Sequence, residues 1–378
     1  MPRLPSSLRL ALPPWLLLAA CAASHPPATP TQLAFEPQQI EVGPVDLELA
    51  GKNDEELFAI GQAALAARDF ERAAAAFDRL VDLHPGSRRE AAALRGAGVA
   101  HQRLAQWRLA LERFRTLERK FPGPDAVVAS FGIAECHYHL DDPAAAAQVL
   151  AALAARTDLP PGAQVRALTQ LGIVELEEGR LDEADTHLRQ AVSAWQAGSQ
   201  QERLDDASAA QAHYYLGEVD RARFLAVSFD PSVDAPEELA RDLEARASLL
   251  LSAQEHYLGA IRTGNADWAV ASGYRIGELY DALHAALVEA PAPPGLDAAQ
   301  AEAYRAELRR TIRVLVVKAI TAYEQTLAVA GRAGVENPYV AETQAALDRM
   351  KLALREIPAE DGPGGEPPGP AGAPPGKR

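Results

Sequence analysis

Two stretches of this 378-residue chain set reactive side chains at spacings that could do chemistry. Trp15-Leu16-Leu17-Leu18-Ala19-Ala20-Cys21 ends an apolar run on a thiol, a group suited to acylation, metal ligation or nucleophilic attack. Cys136-His137-Tyr138-His139 sets a thiol and an imidazole three residues apart, so a helix here would put Cys136 and His139 on one face. A metal would want three or four ligands, and the sequence offers no third at a matching spacing. The expectation is a buried small cysteine beside surface histidines, with a metal or thiol site at Cys136 and His139 as the alternative. No HExxH, phosphate-binding glycine loop, nucleophile elbow or paired CxxC is present. The chain reads as a non-enzyme with no cofactor and no small-molecule substrate.

The elements around Cys21 give that thiol a role. The apolar run from Leu10 to Ala20 is eleven residues long and contains Pro13 and Pro14. A bilayer core of about 30 Å needs roughly 20 helical residues, so the run is too short to span. Arg3 and Arg9 precede it and small residues follow, the layout of a secretory signal. Leu18-Ala19-Ala20-Cys21 resembles the bacterial lipoprotein signal. That resemblance implies cleavage before Cys21, acylation of its thiol, and a lipid-anchored protein. Ala22 stands where an Asp would imply retention in the inner membrane, so the outer membrane, on its periplasmic face, is expected. Residues 1–20 are then a signal peptide, and residues 21–52 a lipidated tether rich in proline. A flexible chain of that length reaches about 30 Å.

Composition narrows the class further. Hydrophobic residues make up 48% of the chain and aromatics only 6%, and alanine and leucine dominate the apolar side. Both are strong helix formers, and alternating β-branched runs are absent. The formal net charge is −15, and loss of Arg3 and Arg9 with the signal would take it to −17. Such a chain is a poor nucleic-acid binder, because phosphate must be met by Lys and Arg. Anionic lipid repels it as well, which makes a lipid tether useful. With Cys21 acylated, Cys136 has no disulfide partner.

Helical hairpins recur along the chain. Gly61, Ala73, Phe77 and Pro85 stand at spacings of twelve, four and eight residues, and Gly98, Ala110, Phe114 and Pro122 repeat them. Two helices approach closely only where side chains are small, so Gly61 and Ala73 mark the contact and Phe77 fills the space beside them. Pro85 cannot continue a helix and ends the hairpin. A third copy carries Gly172, Ala184, Leu188 and Ala191 after Leu168 and Leu171. A weaker one over 127–160 carries Ala134, Ala146, Leu150 and Leu153. A fifth starts near Ala210 with Leu216-Gly217, and a sixth near Val270 with Ile276, Gly277 and Tyr280. The pattern resembles the tetratricopeptide repeat, a helical hairpin of about 34 residues.

The fold expected is all-α, a solenoid of about six such hairpins with a C-terminal capping helix opened by Asn337-Pro338. Residues 53–223 hold repeats one to five. Residues 224–356 hold interrupted repeats and the cap, with breaks at 224–236, where Asp234 reads as an N-cap, and at 291–297, after which a helix is expected from Glu302 to Ala330. Residues 357–378 are a Pro/Gly tail.

The tetratricopeptide resemblance implies a concave face lined by the first helix of each hairpin. Carried onto this chain, it assigns partner contact to Phe58, Arg95, Arg103, Phe131, Tyr138, Tyr214 and Tyr274, with Thr169, Gln102, Leu176 and Arg221 alongside. Aromatic and Arg side chains are the types that anchor interfaces. The lipid signal, the HPGS and KFPGP hairpin ends and the period of about 37 residues resemble the outer-membrane β-barrel assembly lipoproteins. The stretch from IGELYDAL to KAITAYEQTL resembles envelope tetratricopeptide proteins of gliding-motility machinery. These resemblances imply a scaffold that binds other cell-envelope proteins. A soluble periplasmic chaperone-like module is the other reading.

Overall fold

The computed structural model describes residues 44–199, 204–227, 236–288 and 295–357. Cys21, Asp234 and the tail beyond Ile357 lie outside the described residues.

Among the described residues there are fourteen helices and no strands, and twelve of the helices pair into six antiparallel hairpins. The first three hairpins are α2 (Asp54–Ala66) with α3 (Phe70–Leu83), α4 (Glu90–Arg103) with α5 (Trp107–Lys120), and α6 (Pro124–His139) with α7 (Pro143–Ala154). The last three are α8 (Pro161–Glu177) with α9 (Leu181–Ser199), α10 (Asp206–Ala226) with α11 (Pro236–Arg262), and α12 (Ala266–Val288) with α13 (Ala298–Ala333). A final helix, α14 (Pro338–Glu356), closes the stack against α12 and α13. A short leading helix, α1 (Pro44–Leu49), packs on α3. The molecule is an all-α solenoid, as its repeats imply.

The local chemistry explains where these helices stop. In the first four hairpins the turn passes through one residue of left-handed backbone: Arg68, Ala105, Asp141 and Gly179. In hairpins one and three the next helix then starts on a side-chain cap. Asp69 accepts from the Arg72 amide at 3.1 Å, and Asp142 from the Ala145 amide at 3.1 Å. Such a cap is worth about 1 kcal/mol. Hairpin ends fall two residues before Pro85 and Pro122, at Leu83 and Lys120. Those prolines are exposed and act by stopping the chain rather than by filling the core.

The core repeats one device. A Cβ on Gly61 would stand 2.6 Å from the Phe77 ring, and one on Gly96, from the next hairpin, equally close to its other edge. Phe114 sits in the same way between Gly98 and Gly132, and Leu188 lies against Gly172. Tyr257 lies against Gly217 and Tyr323 against Gly277. The partner follows its glycine by sixteen residues in hairpins one, two and four, by 40 in hairpin five and by 46 in hairpin six. The last two hairpins are therefore the same motif with extra length inserted between their helices. Ala73, Ala110, Ala184 and Tyr280 are buried at the packing positions assigned to them.

Three boundaries differ from the sequence expectation. The stretch read as a tether to residue 52 already holds α1, because Leu49 inserts fully into the first core and Glu48 pairs with Arg72. The break expected from residue 224 starts later, since Phe224 is buried and α10 continues to Ala226. A division at 223/224 would therefore cut hairpin five. Helix α13 begins at Ala298 rather than near residue 302. Asp297 accepts from the Gln300 amide at 2.8 Å and its own amide donates to the Gln300 side chain at 3.1 Å, a capping box. By length and composition α13 is also, among the described residues, the one helix that could cross a membrane. Here its Val316, Ala319 and Tyr323 are buried in the core shared with α12 and α14.

Candidate functional site: a cleft where the stack opens

The first helices of successive hairpins lie side by side and make the inner surface of the solenoid. Direct packing joins α2 to α4, α4 to α6, α8 to α10, α10 to α12 and α12 to α14. The backbones of α6 and α8 pack less closely than any of these pairs. Their hairpins are joined instead through α7, a twelve-residue helix of mostly alanine, and through a shared core of Phe131, Leu150, Leu153 and Leu171. Small side chains on α7 give little bulk to hold the line closed.

A cleft of about 300 Å³ opens at that break. Its walls are Phe131, Glu135 and Tyr138 on α6, Arg166, Gln170 and Glu177 on α8, and Gln211 and Tyr215 on α10. The Arg166 guanidinium lies 4.2 Å over the Phe131 ring and makes no ion pair among the described residues. Tyr138 is 40% exposed. A hydrogen bond to the Glu177 carboxylate, reinforced by burial and by the charge of Glu177, holds its hydroxyl pKa above the usual range. The cleft thus offers an aromatic wall, a cation that feels the charge of Glu135 without a close ion pair, two carboxylates and two primary amides. Such a mixture suits a polypeptide better than an apolar small molecule.

The seven assigned contact residues do not all reach solvent. Arg95, Arg103 and Tyr138 are exposed, and Arg95 approaches Asp125 at 3.6 Å. Tyr274 is half-buried. Phe58, Phe131 and Tyr214 are 8%, 7% and 4% exposed, so each serves packing first. Phe58 meets the Phe77 ring edge-on and lies beneath Arg89. Phe131 forms the cleft wall beneath Arg166. Tyr214 hydrogen-bonds the Tyr339 hydroxyl at 3.1 Å and accepts from Arg275 at 3.3 Å. Arg275 also pairs with Glu218 at 3.1 Å and Glu278 at 2.7 Å, and Tyr257 donates to Glu218 at 2.6 Å. This network ties hairpins five and six to the cap. It was not legible in sequence, because its members come from four separate helices.

Cys136 and His139 do not form a site. Cys136 is fully buried, and burial pushes its thiol pKa up to about 12. His139 is exposed and stacks on Trp107, with ring centroids 3.9 Å apart. The reason is helical phase: a three-residue step is 300°, enough to carry one side chain into the core and leave the other at the surface. No group of three or more His, Cys, Asp or Glu side chains among the described residues could hold a metal ion.

Sequence reasoning also missed His101. It lies buried between Asp78 at 2.8 Å and Gln106 at 2.7 Å, and Arg113 joins Asp78 at 2.8 Å, linking hairpins one and two. Burial alone would lower its pKa, but the bonds to Asp78 and Gln106 outweigh it and raise the value.

Stacked helical hairpins around an inward groove define an α-solenoid repeat protein. Residues 58–104 and 97–163 match the tetratricopeptide repeat family model, so this stretch of the chain carries tetratricopeptide repeats. No curated protein matches the sequence. Among solved structures, the apo form of RapI is similar at 10% identity, with 80% of this chain and 98% of RapI covered and a TM-score of 0.47. A tetratricopeptide repeat protein from Parabacteroides merdae is similar at 14% identity, with 79% and 98% covered and a TM-score of 0.38. MamA is similar at 15% identity, with 56% and 91% covered and a TM-score of 0.39.

Proposed function

We propose that this protein is a non-enzymatic interaction scaffold that binds a partner polypeptide in the α6–α8–α10 cleft. The observation that carries the reading is the break in the inner wall, which exposes Tyr138 and Arg166, a cation held by no close ion pair, beside the aromatic wall of Phe131. A partner segment with an apolar side chain and a carboxylate would meet Tyr138 and Arg166 together.

In the full reading, Cys21 is acylated and holds the scaffold to the periplasmic face of the outer membrane. Its partners are then other cell-envelope proteins, those of β-barrel assembly, motility or envelope maintenance. The support for the anchor is the Leu18-Ala19-Ala20-Cys21 signal.

Two experiments test the two parts separately. A photo-cross-linking residue at Tyr138 in cells should capture a discrete protein partner, and one at exposed Leu109 on the outer helix α5 should not. Equal capture at both positions contradicts the cleft. Cys21→Ser should move the protein from the membrane fraction to the soluble one. Retention at the membrane contradicts the lipid anchor while leaving the cleft intact.

A further inference from the structure

A second cleft lies on the other side of the solenoid. The outer helices α11 and α13 diverge and leave α12 as a floor between them. The space is about 450 Å³, within the range of small-molecule sites. Leu258 and Ile261 line it from α11, Ile276 from α12, and Val317 and Val329 from α13. Its polar groups are few. Lys318 lies 5.3 Å over the Tyr280 ring, whose hydroxyl donates to the Gln254 side chain at 2.7 Å. Lys318 is exposed and has no carboxylate partner among the described residues, in a chain of net charge −15.

Size selects the occupant. A helix is about 10–12 Å across, so an open cleft of this size would admit only one face of it. A single acyl chain fits. The floor from Ala269 to Tyr280 is about 16 Å long, the length of an extended chain of roughly twelve carbons. Charge selects the head group, since an anion at the Lys318 end would gain the one unpaired cation of the lining. We infer that the cleft between α11 and α13 is a binding site for a single-chain fatty carboxylate, its chain on Leu258, Ile276 and Val317 and its head at Lys318.

Calorimetric titration of the full chain with decanoate, dodecanoate, dodecanol and dodecyltrimethylammonium tests the assignment. Two added methylenes should tighten binding from decanoate to dodecanoate about 15-fold, near fourfold for each. Lys318→Gln should weaken dodecanoate about threefold to fivefold and leave dodecanol unchanged. Thr321 is exposed at the cleft edge, so Thr321→Trp should fill the space without disturbing the fold and abolish binding of both. Helical content by circular dichroism checks that fold. Phosphatidylglycerol vesicles free of fatty acid should neither co-sediment the protein through this site nor compete with dodecanoate. The assignment is overturned if dodecanoate does not bind, if Thr321→Trp binds it unchanged, if the cationic amphiphile binds as tightly, or if vesicles alone engage the cleft.

Discussion

Replacing Gly98 with alanine sets two opposed effects against each other. In an open helix the change gains about 0.8–1.0 kcal/mol, because glycine loses more backbone freedom than alanine on folding. At Gly98 the new methyl would stand 2.6 Å from the Phe114 ring. The ring cannot retreat, since Gly132 brings the backbone of α6 against its other edge. Overpacking of this kind costs about 1–3 kcal/mol, so Gly98→Ala should destabilise by up to about 2 kcal/mol after the propensity gain. Phe114→Leu shortens the obstructing group, and in that background Gly98→Ala should stabilise by up to about 1 kcal/mol. The resulting coupling of about 1–3 kcal/mol is typical of residues in contact. Gly331 is the control, a helical glycine of α13 with nothing near a new Cβ, and Gly331→Ala should stabilise by up to about 1 kcal/mol. Urea unfolding followed by circular dichroism reads all four variants. If Gly98→Ala stabilises as much as Gly331→Ala, the glycine–aromatic packing that defines the hairpins is wrong.

Other outcomes follow from the same geometry. Cys136 should resist alkylation at pH 8 in the native protein and react once urea unfolds it, because its pKa is raised to about 12. Asp142→Ala removes the cap of α7 and should cost about 1 kcal/mol in urea unfolding. Burial, with the charges of His256 and Arg262, lowers the pKa of His213, and its buried Nδ1 has no hydrogen-bond partner. His213 therefore adds no penalty above its ordinary value of 6.5 and removes stability as pH falls below 6.5 toward the lowered folded value. His213→Gln should flatten the fall of the thermal midpoint between pH 7 and pH 5. A His213→Gln midpoint that changes with pH just as the wild type does over that range would contradict this placement.

Much of the fold was legible because its core device is local in sequence. A glycine and an aromatic sixteen residues apart announce a hairpin, and Gly61 with Phe77 and Gly98 with Phe114 do so openly. Hairpins five and six hid theirs, because insertions carry Tyr257 and Tyr323 to 40 and 46 residues from their glycines. The site was legible only in part. Carrying family positions onto Phe58 and Tyr214 picked residues on the inner helices α2 and α10, but which of them reach solvent depends on neighbours such as Phe77, Arg275 and Tyr339. The cleft itself comes from an absence, the lack of close packing between α6 and α8. Nothing in residues 124–177 marks that, beyond an alanine-rich α7. Arg166 escaped notice for the same reason, since its value lies in its place over Phe131 at that opening.

The measurement that bears most directly on the scaffold reading is the affinity of the partner captured at Tyr138 for three forms of the purified protein. Wild type, a cleft-filled Gln170→Trp and an outer-face Leu109→Trp would be titrated under one buffer. If the cleft is the binding surface, Gln170→Trp weakens the partner by about 100-fold, the loss of a hot-spot contact of roughly 2–3 kcal/mol, and Leu109→Trp leaves it unchanged. Full affinity in Gln170→Trp, or a loss confined to Leu109→Trp, would place the partner elsewhere on the solenoid and contradict it.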